Sequence, residues 1–364
     1  MLTIGDYYYQ LFPHYLPARI LTLVFQSFAL GTMTILAYNE AKIDTRKQIL
    51  FGFTLFCLSI FGLIVIDVAT SGKGGIRSYI GICVCVATFG IASAHAEGGV
   101  VGELSFMCPQ FVQSFFAGVA ASGTLTSCLR LITKAAFDKT NHGLHKGVML
   151  FLAIATFVEV ICVILYACIF DKLPIVKHFH KKAIPEGSKT IVAAGIDTRF
   201  LLLLKVGDAN DHHERLSNKQ LLSKNIDYVL DLWLIYVLTL SIFPGFLYEN
   251  TGAHHLKSWY ALVLIAMFNV CDLIARYIPL LSCIRLESRK GLFTASLLRL
   301  LFIPCFYFTA KYGDQGWMIV LVSFLGLTNG YLTVCVPTVA PKGYKAPEQH
   351  ALGNLLVVFL LAGI

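Results

Sequence analysis

The chain has 364 residues, 57% of them hydrophobic and only 14% charged, with a formal net charge of +8. A soluble domain carries charge on about a quarter of its residues, so this composition excludes an ordinary soluble enzyme and describes a polytopic membrane protein. In such a protein the positive excess reports loop topology and is not the footprint of a nucleic-acid binder.

In chain order, the opening MLTIGDYYYQLFPHYLP starts apolar and reaches the tyrosine cluster Tyr7–Tyr9, as at the interfacial end of a membrane helix. Only about half a span precedes that belt. Apolar runs follow at roughly Ile20–Tyr38, Ile49–Ala69, Tyr79–Met107, Phe111–Ile132 and Gly147–Phe170. Residues 171–226 are richer in charge and histidine and read as a central linker, with Phe200–Lys205 as a short amphipathic helix on the membrane surface. His178, His180, His212 and His213 lack a completing Cys or acid and read as solvated, so no metal is expected. Further runs lie at about Tyr228–Tyr248, Trp259–Cys283, Leu292–Ala310, Trp317–Val336 and Leu352–Ile364. The expectation is an all-α bundle of eleven segments, six in residues 1–170 and five in residues 227–364. The first and last read as incomplete, because thirteen residues reach only about 20 Å. Lys and Arg concentrate in the loops on the linker's side, which places the N-terminus and linker in the cytoplasm. The eleven cysteines form no CxxC pair and read as small buried hydrophobes.

The chemistry sits in polar groups inside the apolar runs. Asp272 and Arg276 lie four residues apart on one helical face, where they can pair. Ionisable groups at bilayer depth normally face a bundle interior or a wet cavity. A guanidinium beside an acceptor carboxylate suits neighbouring hydroxyls such as those of a ribose, and a structural ion pair is the plainer alternative. The fourth run holds His95, Glu97 and Glu103 among Gly98, Gly99 and Gly102, and in the fifth Gly118 and Gly123 mark a small-residue face. Arg130 reads as a snorkelling residue, Pro244 as a bend, and Asn329 with Gly330 as a loosened turn. Arg299 is expected to face a carboxylate or a cavity.

Four segments carry a family resemblance: FNVCDLIARYIP, LTNGYLTV, APKGYKAPEQHALGNLL and FVQSFFAGVAASGTLTSCLRLITKAAF. With them the chain resembles the equilibrative nucleoside transporters, in wording nearest to the plant branch. The resemblance implies a major-facilitator-like bundle with a six-plus-five arrangement about a central cavity. It implies that Asp272 and Arg276 engage the sugar, that Asn269 faces the same cavity, and that Leu2 lines it from the first helix. Glu97 stands where the family commonly has a glutamine contacting the base. Gly98, Gly118, Gly123, Pro244, Asn329 and Gly353 are expected to serve packing or gating. The family's tryptophan–asparagine pair of the first helix is absent. The expected function is facilitative transport of nucleosides, with nucleobases as a further class, by alternating access in the plasma membrane or an internal membrane such as the vacuolar one. No enzymatic step, cofactor or nucleic-acid partner is implied. Two alternatives stand beside it: a proton-coupled carrier loading a proton on Glu97 or Asp272, and a truncated paralog that does not transport.

Overall fold

The computed structural model describes residues 7–8, 11–12, 15–70, 74–105, 107, 109–137, 143–179, 181, 216–243, 259–281, 283–312 and 315–364. Those residues are overwhelmingly helical, as expected where a bilayer leaves backbone groups no water to bond. The helices are α1 Pro17–Tyr38, α2 Thr45–Thr70, α3 Ile76–Ser105, α4 Pro109–Phe137 and α5 Gly143–Cys168. After them come α6 Asn218–Lys224, α7 Ile226–Ile242, α8 Tyr260–Tyr277, α9 Arg289–Leu298, α10 Phe302–Tyr312, α11 Gln315–Val339 and α12 Ala346–Gly363. Eight spans among the described residues are long and apolar enough to cross a membrane, and a ninth results if α6 and α7, bent by 75°, count as one.

Local chemistry explains several boundaries. Pro17 opens α1, where its missing N–H breaks no helical bond. Ser217 and Gln220 form a reciprocal capping box at the start of α6, and Ser288 caps α9 through Gly291 N. A 3-10 turn over Arg299–Leu301 interrupts the ninth apolar run between α9 and α10, and it is this turn that carries Arg299. α12 begins at Ala346, with Pro347 in its first turn and Glu348 accepting from Lys345 N. It therefore has 18 residues, about 27 Å, where the apolar run alone predicted thirteen. The polar first turn is helical but carries no hydropathy signal.

Side-chain packing divides the bundle into layers. Glu40 against His350, Asn218 against Ala37 O and Leu216 N against Glu348 mark one end of the bundle. At that end one apolar cluster joins Met33 and Leu36 of α1, Val101 and Leu104 of α3 and Phe116 of α4 to Val334 of α11 and Leu361 of α12, and a second gathers Tyr228, Leu292, Val339 and Leu352 from α7, α9, α11 and α12 alone. At the opposite end the clusters are separate. One gathers Leu21, Leu63, Ile82 and Phe151 from α1, α2, α3 and α5, and the other gathers Ile242, Leu264, Phe306 and Val322 from α7, α8, α10 and α11.

Two parts of the segment read as a linker are folded at its described ends. Val176 and Leu221 are buried against the bundle, whereas His178 is exposed. Phe200–Lys205, His180, His212, His213, Leu2 and Pro244 lie outside the described residues.

Candidate functional site

α8 presents Phe268, Asp272, Ala275 and Arg276 on its buried face, the i, i+4, i+7 and i+8 positions that a helix stacks together. Arg276 donates from Nε and from Nη2 to the same Asp272 oxygen, Oδ2, at 2.9 Å each. Both residues are 4% exposed, so neither group meets lipid or bulk water. The guanidinium is also spent on backbone, with Nη1 donating to Phe116 O on α4. Gln113 Nε2 in turn donates to Arg276 O at 3.0 Å.

The second carboxylate oxygen is the end of a longer chain. Asn329 Nδ2 on α11 donates to Asp272 Oδ1 at 2.8 Å. A carboxylate only accepts, which fixes the amide orientation and turns Asn329 Oδ1 toward Thr239 on α7, 2.8 Å away. Thr239 accepts from Arg299 Nη2 at 2.7 Å, its one hydroxyl proton is shared between Asn329 Oδ1 and Ile235 O, 2.7 Å away, and Arg299 Nη1 donates to the same Ile235 O at 3.1 Å. Polar contacts therefore run unbroken from Arg299 through Thr239 and Asn329 to Asp272. Arg299 was expected to face a carboxylate or a cavity. It is instead 3% exposed, with neutral oxygens as its described direct partners, and reaches Asp272 through two intermediaries. Arg130, expected to snorkel, is 2% exposed.

Close helix approach makes the chain of bonds reachable. Gly326 and Gly330 of α11 lie one turn apart against the α8 backbone. A Cβ at Gly326 would sit 2.6 Å from Phe268 O, and one at Gly330 would collide with Asp272 O. Only a bare helix face brings Asn329 to Asp272. Asn329 is thus a packed anchor and not the loosened turn expected from its Asn–Gly dipeptide.

Asn269, one turn before Asp272, joins α8 to α4. Its Nδ2 donates to Ser127 Oγ at 2.7 Å, Thr124 Oγ1 donates to its carbonyl at 3.0 Å, and Gly123 leaves room for its side chain. Gly118 does not share that role. It is exposed, and a Cβ there would meet nothing within 4 Å, because five residues separate it from Gly123 and turn it about 140° around the helix.

Glu97 on α3 is half-buried and accepts from Ser93 Oγ at 2.8 Å. Glu103 points elsewhere and accepts from Tyr166 on α5 at 3.1 Å. Gly98 is a packing site, where a Cβ would sit 2.5 Å from Met33 Sδ, and Gly353 of α12 is another, 2.5 Å from Ser105 Oγ. Tyr236 on α7 went unnoticed in the sequence. It lies within electrostatic reach of Arg276, Asp272 and Glu97 and beside Thr333. Thr239 was equally silent, because it bonds its own i−4 carbonyl, Ile235 O at 2.7 Å, as any threonine in an apolar helix does.

A model of the nucleoside transporter family matches residues 82–364. Equilibrative nucleotide transporter 3 of Arabidopsis thaliana is 62% identical over all of this chain and 87% of its own length. Equilibrative nucleotide transporter 5 of the same plant is 59% identical over the same shares, and transporter 1 is 30% identical over all of this chain and 79% of itself. Among solved structures, the E. coli fucose:proton symporter aligns with a TM-score of 0.55 at 13% identity, covering 99% of this chain and 85% of that one. A bacterial homologue of the iron transporter ferroportin, in an outward-facing state, gives 0.56 at 13%, covering 99% and 86%. The fold is therefore the major-facilitator type, and the chain belongs to the nucleoside transporter family, whose members are membrane carriers and not enzymes.

Proposed function

We propose that this chain moves nucleosides across the plasma membrane by facilitated alternating access, around a site built on Asp272 and Arg276. The observation that carries the reading is the position of that pair. It sits in the bundle interior on the seam between α8 and α4, with Gln113 and Phe116 as cross-seam partners and Asn269 bonded across the same seam to Ser127. Residues 1–170 and 227–364 then form two halves joined by 171–226, and the seam is where they rock. Asp272 accepts from the sugar hydroxyls, Arg276 donates to them, and Asn269 and Glu97 face the same substrate from α8 and α3. Glu97, bonded to Ser93 and half-buried, has capacity left for a base edge.

Substrate entry must loosen bonds that are closed here, since both members of the pair are buried. The apolar cluster shared across the Glu40–His350 end, against separate clusters at the other, supports a form shut on that side. We place that end in the cytoplasm, in line with the bias of lysine and arginine.

The test is uptake of radiolabelled adenosine and uridine by proteoliposomes holding the purified chain, beside an Arg276→Ala variant. Saturable uptake that the variant loses is the expected result. Absence of uptake by the parent sinks the transport reading. A variant working at more than about half the parent rate sinks the site, because an unpaired buried partner costs several kcal/mol.

A further inference from the structure

A second buried acid plays no part in the α8 site. Asp67 lies in the last turn of α2, some 33 Å along the helix from Thr45 and therefore at the end opposite Glu40 and His350. Its Oδ1 accepts from Tyr7 Oη at 2.5 Å and its Oδ2 lies 2.7 Å from His145 Nε2. Tyr7 precedes α1 and His145 stands in the first turns of α5, so one carboxylate fastens three separate segments. The Asp67 side chain is 10% exposed and that of His145 37%, so the acid is sheltered and its histidine reaches the rim.

Tyr8, Thr70 and Ser78 are the other polar groups lining the cleft over Asp67, and the rest is aliphatic. No lysine or arginine is among the described residues that line it. Cys85 of α3 and Asp67 both lie within electrostatic reach of Tyr8. With His145 neutral, an ionised Asp67 leaves this group one negative charge in an apolar layer. One added proton, on the imidazole or on the carboxylate, makes the group neutral. The rim-exposed imidazole of His145 gives that proton a route from water. A proton on Asp67 also weakens an acceptor of Tyr7, and with it the hold of α2 and α5 on the residues before α1.

We propose that Asp67, His145 and Tyr7 form a proton-binding site, loaded from the end opposite Glu40 and His350, whose occupancy sets the rate of facilitated nucleoside movement. The rate control rests on the transport reading above, whereas the proton site stands apart from it. It also relocates the proton from Glu97 or Asp272, the acids a sequence reading selects.

Two measurements on the purified full chain in lipid test it. In the first, external pH is varied between about 8 and 5.5 with the interior buffered, and adenosine uptake is followed. The parent's rate is expected to rise about threefold or more toward acid. Asp67→Asn, near-isosteric and unable to ionise, should run at the acidic-side rate at every pH. A parent rate independent of pH, or an Asp67→Asn variant with the parent's full dependence, overturns the rate control. In the second, pH-difference infrared spectra are recorded for the parent, Asp67→Asn and His145→Gln. A carboxyl or imidazole band that titrates in the parent, vanishes in the first variant and moves in the second supports the site. Identical spectra in all three overturn it. If the parent carries no adenosine at any pH, the transport reading fails while the infrared bands still decide the proton site.

Discussion

Asp272 and Glu97 are both acids inside the bundle, and their surroundings differ in kind. Asp272 has both oxygens engaged, by Arg276 on one side and Asn329 on the other, behind glycines that bring α11 onto α8. Glu97 lies half-buried on a glycine-rich helix and is held by Ser93, four residues back on the same helix. The first is a fixed anchor assembled from four elements. The second is a group whose neighbours leave it room to change partners. In the proposed site one wall is thus prebuilt by bonds to fixed neighbours, and the other is held by a single described bond within its own helix.

The sharpest way to break this contrast is Arg276→Ala. It strands Asp272 in the interior, and uptake should fall by roughly a hundredfold or more, consistent with the 3–5 kcal/mol of a broken buried pair. Arg276→Lys should recover little, because an ammonium cannot hold Asp272 Oδ2 and Phe116 O together as the planar guanidinium does. Recovery to within about twofold of the parent would show that charge alone suffices.

Asn329→Ala tests the far side of the anchor. It removes the donor to Asp272 Oδ1 and cuts the path to Arg299, leaving a buried oxygen unsatisfied. A loss of about 1–3 kcal/mol is expected, read as a five- to hundredfold fall in uptake or a lower melting temperature. Unchanged melting and uptake would mean that Asp272 does not depend on the relay.

For Glu97→Gln the contrast predicts little. The amide keeps an acceptor for Ser93 and gains a donor, so uptake should stay within about threefold of the parent. A collapse like that of Arg276→Ala would make Glu97 a second fixed anchor and dissolve the distinction.

The smallest effect belongs to Glu287, in the loop between α8 and α9. Hydrogen bonds from Lys342, at 2.8 Å, and from Arg285 hold its carboxyl below the usual glutamate range. A depressed value in the folded chain adds stability above the ordinary glutamate pKa and loses it as pH falls through the folded value. The pair is fully exposed and screened by water, so Glu287→Gln should lower the melting temperature only slightly at pH 7. The difference should vanish near pH 3, where the parent carboxyl is itself becoming neutral. A gap that widens toward acid would contradict the assignment.

Legibility followed the range of the interactions. Asp272 and Arg276 were readable because their pairing is local, four residues apart on one helix. Asn329 could be singled out, but its dipeptide pointed to a loose turn, since the glycine that loosens an isolated helix here admits a neighbouring backbone. Thr239 and Tyr236 carry no sequence signal, because each matters only through a residue on another helix. Gly118 and Gly123 look alike in sequence and differ by their angle around α4.

The sequence by itself determined that this chain is a bundle of membrane helices and roughly where each lies. A bilayer forces every apolar stretch of about twenty residues to satisfy its own backbone, which leaves the helix as the one local solution. It also determined, through motif resemblance, the family that the chain belongs to. Tertiary structure decided what the buried charges do. The path from Arg299 to Asp272, the seam of α4 on α8, and the meeting of Tyr7, Asp67 and His145 each join groups more than fifty residues apart. Helix–helix packing in lipid is set by small residues and buried polar contacts, whose partners no periodicity along one helix can name.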